Sequence, residues 1–433
     1  MDTFLDDAYI TLTYSKHFYE YGKPWYNIND KIQGNGQTSV LWMFIQSLFF
    51  YLNEINPIYL NKVIGIVCSF IVLFNSYKLL FTDNKDKVLL ILKIVFIILL
   101  SFWFALNVSH GLETLIYTLF IFLFLKLRNQ KSNYLIVFIL PFIRPEAFIF
   151  LLFFIFDTKP FKKEFYIRIG IATLCLSTYL FYINYFYDIL TPLPFILKNT
   201  RDFSIIKFEN FLVIVLLFLP LCFFLSKNPK KTYFYLPLIF YIFYYSFLID
   251  EVMNVFDRYR FPLMMYYLYF LLYEKFTINK SKTIYVFCIV SCISMIKIMT
   301  DLNNKKKSYK YSYSVGMKNG PIFIGKYLKE KSKEDGVVYN VINSDAGAIA
   351  YYSDSNLYDT WGLNNAYLLL QKKNNNWHNY LYYLKSINPN YIIVISESQD
   401  KFIPHLDFEN KIYNYFQLNN RNPELIRKFD TNY

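Results

Sequence analysis

The stretch "VLLILKIVFIILLSFWFALNV" at residues 88–108 decides the class of fold. It is almost wholly apolar, and as a helix it is long enough to cross the ~30 Å hydrocarbon core of a bilayer. The chain has 433 residues, of which 55% are hydrophobic and only 18% are charged. This composition predicts a polytopic α-helical membrane protein. Apolar segments lie near residues 60–80, 88–104, 111–127, 134–142, 146–156, 166–187, 210–226, 232–249, 259–275 and 283–299.

Three parts of unlike composition follow one another along the chain. Residues 1–59 are predicted to be a loop with juxtamembrane helices, and residues 60–299 a transmembrane helix bundle. Residues 300–433 are polar, and runs such as "NYIIVISES" (390–398) predict strands of a soluble α/β domain. Within the first part, residues 38–52 predict a helix of roughly 22 Å, which is too short to span and is expected to lie at the membrane interface.

The formal net charge of +13 does not indicate a nucleic-acid-binding protein. The Lys and Arg residues gather in short loops between apolar segments, which is typical of membrane topology signals. No nucleic-acid partner is therefore expected. All five cysteines lie inside apolar segments, which argues against a disulfide framework or a zinc site.

The basic loops predict the orientation in the membrane. They share one side if residues 134–142 and 146–156 form a hairpin of two half-helices, and the positive-inside rule makes that side cytoplasmic. The N-terminal part, the tip of the hairpin and the C-terminal domain are then extracytoplasmic. The residues that define the basic loops are Lys85, Lys87, Lys126, Arg128, Lys131, Lys159, Lys162, Lys163, Lys227, Lys230, Lys231, Lys275, Lys280 and Lys282.

This orientation puts Met1 outside the cytoplasm and requires a membrane-spanning helix ahead of it. A lost first helix, for example through a misplaced start, is one explanation, and an inverted orientation is the other. The charge pattern favours the lost helix.

Two adjacent carboxylates, Asp6 and Asp7, open the segment "FLDDAYITLTYSKHFYEYG" (4–22). They could simply start a helix, one as its cap and one as a favourable charge at the positive end of the dipole. Helix neighbours point about 100° apart, so the pair also suits two separate tasks. One carboxylate could accept a proton from an attacking hydroxyl while the other orients it, or holds a divalent cation such as Mg²⁺ or Mn²⁺.

Further charged residues lie at the predicted extracytoplasmic ends of apolar segments. Glu113 in "GLE" could serve a site or belong to a helix cap with Ser109. Arg144 and Glu146 flank Pro145 at the hairpin tip, where they could form a mutual ion pair or the arginine could bind a phosphate.

The remaining candidates lie farther along the chain. Arg258 and Arg260 in "DRYRFP" could extend towards lipid headgroups or, with Lys198 and Arg144, form a phosphate-binding shell. In the C-terminal domain Asp345 and Asn364 could contact a sugar or could serve ordinary turns.

These motifs occur in an order that resembles bacterial GT-C glycosyltransferases, and most closely the branch with the mycobacterial arabinofuranosyltransferases and related uncharacterised proteins. Each motif is weak, but the ordered set covers the chain from residue 4 to about residue 367. The motifs are "DDAYITLTYSKHFYEYGKPWYNINDKIQGNGQTSVLW" (6–42), "GLET" (111–114), "RPEA" (144–147), the Pro-rich loop before Lys198, "RYRFP" (258–262) and "DAGAIAYYS…YDTWGLNN" (345–365). The chain departs from the family in "GNGQTS" (34–39), which replaces the usual "GY-x-S" turn, and in having no helix before the Asp pair.

The resemblance implies a GT-C-like membrane fold with a C-terminal extracytoplasmic α/β domain. It implies an enzyme of the bacterial inner membrane that transfers a sugar from a polyprenyl-phosphate donor to a glycan, lipid or protein acceptor on the extracytoplasmic side. By this resemblance Asp6 is the general base or metal ligand and Asp7 is its partner. A non-catalytic membrane protein, such as a transporter of lipid-linked glycans or a degenerate relative, is the alternative. A transporter would be expected to carry polar groups along its spans, whereas here they cluster at one end.

Overall fold

A computed structural model describes most of the chain. The described residues are 4–52, 55–80, 87–158, 161–187, 189–198, 211–212, 215–218, 221, 232–248, 258–273, 286, 289–290, 292–298, 300, 313–394, 396, 403–404 and 406–418. The predicted segment at 210–226 and several of the basic loops lie largely or wholly outside them, and the segment at 283–299 is described in part.

The described part of the chain is mostly helical. Its helices are α1 (Asp6–Tyr21), α2 (Val40–Ser47), α3 (Pro57–Leu80), α4 (Lys87–Val108), α5 (Thr114–Lys126), α6 (Asn133–Ile143), α7 (Phe148–Phe156), α8 (Lys163–Phe186), α9 (Leu193–Lys198), α10 (Thr232–Phe243), α11 (Met264–Tyr273), α12 (Ser314–Met317), α13 (Phe323–Asp335), α14 (Ala348–Ser353), α15 (Ala366–Lys373), α16 (Trp377–Ser386) and α17 (Asp407–Leu418). Short 3-10 turns occupy Leu48–Tyr51, Pro145–Ala147 and Phe261–Leu263, and π-helical turns occupy Tyr244–Leu248 and Lys318–Ile322.

Among the described residues, three helices are long and apolar enough to cross a membrane. They are Pro57–Leu80, Leu90–Val108 within α4, and Lys163–Phe186. Many large apolar side chains on these helices are exposed, including Phe70 on α3 and Phe181 on α8. An exposed apolar surface of this kind is compatible with contact to lipid rather than water. The predicted interfacial helix is α2 with its 3-10 extension, and it is too short to span.

The predicted hairpin of two half-helices is confirmed. Arg144 adopts an extended conformation (φ −149°, ψ 125°) before Pro145, which ends α6 and lets α7 turn back. The ring of Tyr134 at the start of α6 lies 5.4 Å from the ring of Phe154 near the end of α7. The start and the end of the hairpin therefore lie on the same side, and Arg144 lies at its tip.

Residues 313–418 form a small α/β unit, here called the C-terminal unit. Its three described strands are β1 (Asn340–Asn343), β2 (Asn356–Asp359) and β3 (Tyr391–Ile393). They pair in parallel in the order β2-β1-β3, so β1 is the central strand. Helices cover the sheet because parallel strands bury both faces. Asn365 caps α15 by accepting the Leu368 N–H at 3.0 Å.

Helix α1 joins the C-terminal unit to the remainder of the protein. It packs against α2 and also against α14 of the C-terminal unit. Its end is set by Gly22, which adopts the left-handed conformation (φ 66°) and donates its N–H to the Phe18 carbonyl. At its start, the carboxylate of Asp6 accepts the N–H of Gly347 at 2.9 Å and the N–H of Ala348 at 2.8 Å. This contact connects the start of α1 to the C-terminal unit.

The close approach of Asp6 to Gly347 leads to a prediction about stability. A Cβ atom at residue 347 would lie 2.0 Å from the backbone oxygen of Asp6, so Gly347→Ala must push α1 and α14 apart. We expect a destabilisation of about 1–3 kcal/mol, seen as a lower unfolding temperature in detergent. Gly170→Ala on α8 is the control, because a Cβ there meets nothing within 4 Å. Equal unfolding temperatures for the two variants would contradict the packing described.

Candidate functional site

A cleft with an empty volume of about 670 Å³ lies where α1, the hairpin tip and the C-terminal unit meet. Segments from across the whole chain therefore contribute to one surface. The residues that line the cleft are Asp7, Ile10, Thr11, Gly36, Gln37, Thr38, Leu112, Glu113, Arg144, Glu146, Pro194, Phe195, Tyr244, Arg258, Tyr259 and Leu363.

Arg144 is held by two carboxylates at the hairpin tip. Its Nε donates to Glu146 Oε1 at 2.6 Å, and its Nη1 lies 3.2 Å from Glu113 Oε1. The Tyr245 hydroxyl also donates to Glu146 Oε1, whereas the buried Glu146 Oε2 has no hydrogen-bond partner among the described residues. The Arg144 and Glu146 side chains are 8% and 4% exposed, so this is a buried network. The sequence allowed either a mutual ion pair or a phosphate ligand here, and the structure shows the ion pair.

Arg258 forms a second ion pair beside the first. Its Nη2 donates to Asp7 Oδ2 at 2.8 Å and to the Tyr259 hydroxyl at 3.1 Å. Its buried Nε has no hydrogen-bond partner among the described residues. The Tyr259 ring centroid lies 5.0 Å from the Arg258 guanidinium and 5.4 Å from that of Arg144, so one ring contacts both cations. Arg258 thus forms an ion pair with one carboxylate, whereas Arg144 forms ion pairs with two.

The two neighbouring aspartates face different surroundings. Asp7 lines the cleft, but Asp6 is buried against the C-terminal unit, where the Gly347 and Ala348 N–H groups occupy its two oxygens. Burial, followed by the negative charges of Asp345 and Asp7, raises the pKa of Asp6 to about 8, although the two N–H groups lower it.

The remaining predicted site residues lie at the margins of the cleft. Asp345 is half-buried near the Asp6 carboxylate, and Arg260 is half-buried; neither is among the residues that line the cleft. Asn364 is buried and supports the wall, because its Oδ1 lies 3.0 Å from the Tyr14 hydroxyl. Lys198 ends α9, and its side chain lies outside the description.

The arrangement does not fit a cation held jointly by the Asp pair, because Asp6 and Asp7 diverge. Among the parts of the chain that the structure describes, no group of three or more His, Cys, Asp or Glu side chains could hold a metal ion. Mg²⁺ or Mn²⁺ at this position remains an expectation from the sequence.

A wide apolar groove lies beside the cleft. Its empty volume is about 1070 Å³, and it runs between α7, α8 and α10. Glu146, Phe195 and Tyr244 line both the groove and the cleft, so the two are adjacent. The other residues that line the groove are Pro145, Phe148, Ile149, Leu151, Leu152, Ile155, Ala172, Thr173, Leu176 and Phe240.

Sequence reasoning missed several residues of the cleft. Tyr259 lies in the sequence between Arg258 and Arg260, the two arginines that the motif at 258–262 singled out. This position was the only feature of the sequence that could have pointed to Tyr259. Gln37 and Thr38 lie in "GNGQTS", the segment that departs from the family pattern. Tyr244 and Phe195 fall in apolar or Pro-rich sequence that gives no hint of a site.

Comparison with known proteins gives one match. A family model described as a domain of unknown function (DUF8728) matches residues 309–431, a range that includes the whole of the C-terminal unit. No curated protein and no solved structure matches the chain.

The raised pKa of Asp6 leads to a prediction about pH. The pKa of Asp6 is raised to about 8 in the folded protein and is about 3.8 for an unperturbed aspartate, so the folded state binds this proton more tightly than the unfolded chain. Stability should therefore fall as the pH rises between these values. Asp345→Asn removes a negative charge that is the second-largest cause of the raised pKa of Asp6. Between about pH 6 and about pH 8.5 we therefore expect the unfolding temperature of this variant to fall less than that of the wild type.

The control for this measurement is Asp335→Asn, an exposed carboxylate of the same C-terminal unit whose pKa is lowered. It should leave the pH dependence as in the wild type. The same slope for Asp345→Asn and wild type would contradict the electrostatic account of Asp6.

Proposed function

We propose that this protein is a membrane-embedded glycosyltransferase that transfers a sugar from a polyprenyl-phosphate donor to a hydroxyl acceptor. The observation that carries the proposal is that the apolar groove lies next to the charged cleft and shares three lining residues with it. A donor of this class has a long apolar chain, a phosphate and a sugar, and the groove and the cleft match these parts in that order. The ordered motifs shared with GT-C glycosyltransferases support the same conclusion.

The charges of the cleft suggest a separate role for each charged residue. Arg144 already forms ion pairs with Glu113 and Glu146, whereas Arg258 forms one with Asp7, so Arg258 is the better phosphate ligand. In the proposed reaction an acceptor hydroxyl attacks the anomeric carbon and the sugar–phosphate C–O bond breaks. The proton passes to the Asp7 carboxylate, and the bonding electron pair leaves on the lipid phosphate, whose charge Arg258 stabilises.

This scheme assigns the base to Asp7 rather than to Asp6. Asp7 lines the cleft beside Arg258, whereas both oxygens of Asp6 are occupied by backbone N–H groups. On this proposal Asp6 holds α1 in position. By the distribution of basic loops, the cleft faces the extracytoplasmic side of a bacterial inner membrane, with membrane lipids around the spans.

The first test compares three Asp→Asn variants in lipid, with a panel of radiolabelled polyprenyl-phosphate sugars. Asp7→Asn should lose about 10²–10⁴-fold in turnover while staying folded, because it removes the base. Asp157→Asn is the matched control, since Asp157 also pairs with an arginine, Arg128, but away from the cleft. Asp6→Asn should lower the unfolding temperature. It should change the turnover of the folded fraction little.

Normal turnover by the Asp7→Asn variant would show that Asp7 is not the base. Binding of donors without turnover by the wild type would favour the non-catalytic alternative.

The groove supplies a second test. Leu176 lines the groove and Leu174 lies on the same helix outside its lining, and both are partly exposed to the surroundings. Leu176→Trp should fill the groove and raise the KM for a long-chain donor about tenfold, with little effect on a donor carrying a short prenyl chain. Leu174→Trp should change neither. Equal effects of Leu176→Trp on long and short donors would exclude the groove as the chain-binding surface.

A further inference from the structure

An exposed apolar surface begins where α2 ends. The side chains of α2 itself are buried or half-buried, and those of Leu41 and Ile45 pack against the main core. Beyond α2, in residues 48–52 and 55–59, here called the elbow, large apolar side chains become exposed. They are Leu48, Tyr51, Leu52, Ile55 and Tyr59, and their exposed fractions range from 46% to 68%. The surface available to a membrane interface is therefore the elbow and not the helix that precedes it.

The backbone of the elbow is ordered by hydrogen bonds and packing. The Leu52 N–H donates to the Phe49 carbonyl at 3.0 Å, and the Ile55 N–H donates to the Leu52 carbonyl at 2.9 Å. The ring of Tyr51 lies 4.7 Å from the ring of Tyr19 near the end of α1. The apolar side chains are thus presented together on a fixed backbone. A contiguous exposed apolar surface of this kind indicates an interaction site.

The elbow continues into the exposed apolar face of α3. The turn Leu48–Tyr51 packs against α3, and Tyr59 belongs to both the elbow and the helix. The exposed face of α3 follows helical spacing through Tyr59, Val63, Ile66, Phe70, Phe74 and Tyr77.

Tyrosines lie at both ends of this face. At 1.5 Å per residue, Tyr59 and Tyr77 are about 27 Å apart along the helix axis. This separation is close to the ~30 Å hydrocarbon core, and tyrosine is enriched at both of its interfaces. Tyr59 therefore marks the level of one interface, and the elbow lies at that level.

The sequence of the elbow is almost uncharged. Glu54 is the only charged residue in the sequence from residue 32 to residue 61. Polybasic segments bind membranes through anionic lipids, whereas an uncharged apolar surface binds by burying its area among the acyl chains. The composition therefore favours a neutral lipid surface as the partner of the elbow over a charged protein or an anionic headgroup.

We infer that the elbow inserts Tyr51, Leu52 and Ile55 into the interface of the lipid bilayer on the side of the cleft, and that it does so without anionic lipid. This inference does not depend on the proposed function. Gln37 and Thr38 line the cleft just before α2, and the elbow follows α2 directly. The length of α2, about 12 Å, separates the two. The inserted elbow thus holds one wall of the cleft close to the membrane surface.

The test is photolabelling of the full-length protein in phosphatidylcholine liposomes that contain a phosphatidylcholine with a diazirine near the top of one acyl chain. Labelled residues are located by peptide mass spectrometry. Residues 48–59 should be labelled at least about tenfold more than Tyr382, because only a surface in the bilayer interface meets the probe. Tyr382 is the matched control, since it is 64% exposed but lies on α16 of the C-terminal unit. Adding phosphatidylglycerol should change labelling of the elbow by less than about twofold.

A pair of leucine variants tests the same contact from the side of the protein. Leu52→Glu should lower labelling of the elbow about tenfold and leave labelling of α3 unchanged, because a carboxylate is costly among acyl chains. Leu370→Glu is the control, since Leu370 is 41% exposed and Leu52 is 49% exposed, but Leu370 belongs to the C-terminal unit. It should leave both labels unchanged. The label on α3 also reports that each variant is folded and inserted.

Four results would overturn the inference. They are labelling of the elbow no stronger than that of Tyr382, labelling that requires phosphatidylglycerol, equal labelling of the elbow in Leu52→Glu and wild type, and labelling that falls as the protein-to-lipid ratio rises. The last result would mean that a second copy of the chain covers the elbow. None of them bears on the transfer reaction, so the proposed function is tested separately.

Discussion

The hydrogen bonds from Gly347 and Ala348 to the Asp6 carboxylate are the contact on which the site depends. They hold the first turn of α1 against the C-terminal unit. Because successive helix residues point about 100° apart, fixing Asp6 in that direction turns Asp7 towards the cleft. The ion pair between Asp7 and Arg258 then follows from this orientation. A contact between α1 and the distant C-terminal unit thus sets the direction of a carboxylate in the cleft.

Charge in the cleft is distributed unevenly between the two guanidiniums. Arg144 has two carboxylate partners at the hairpin tip, whereas Arg258 has one, and the ring of Tyr259 contacts both cations. A guanidinium with two carboxylate neighbours offers little net attraction to a phosphate. The arrangement therefore distinguishes an arginine that stabilises the hairpin tip from one that can meet an anion.

The groove and the cleft are adjacent surfaces of unlike character, one apolar and one lined by charged residues. The apolar groove offers no charged side chain except Glu146 at its mouth, and the polar lining begins there. An amphiphile with its polar group in the cleft and its chain in the groove buries apolar surface without burying an unpaired charge. A soluble nucleotide sugar has no apolar chain with which to use the groove.

The sequence by itself determined the helical, apolar class of the protein, because runs of apolar residues and short basic loops are local features. It also predicted the half-helix hairpin from the charges of the loops and the short helix α2 from its length. Runs of β-branched residues predicted strands in the C-terminal unit. It singled out Asp7, Glu113, Arg144 and Arg258, which line the cleft.

Only the tertiary structure decided which aspartate faces the cleft, that Arg144 is balanced by two carboxylates, and that Gln37 joins the lining. Each depends on a partner distant in sequence, such as Gly347 for Asp6, and a single sequence does not show which distant residues meet.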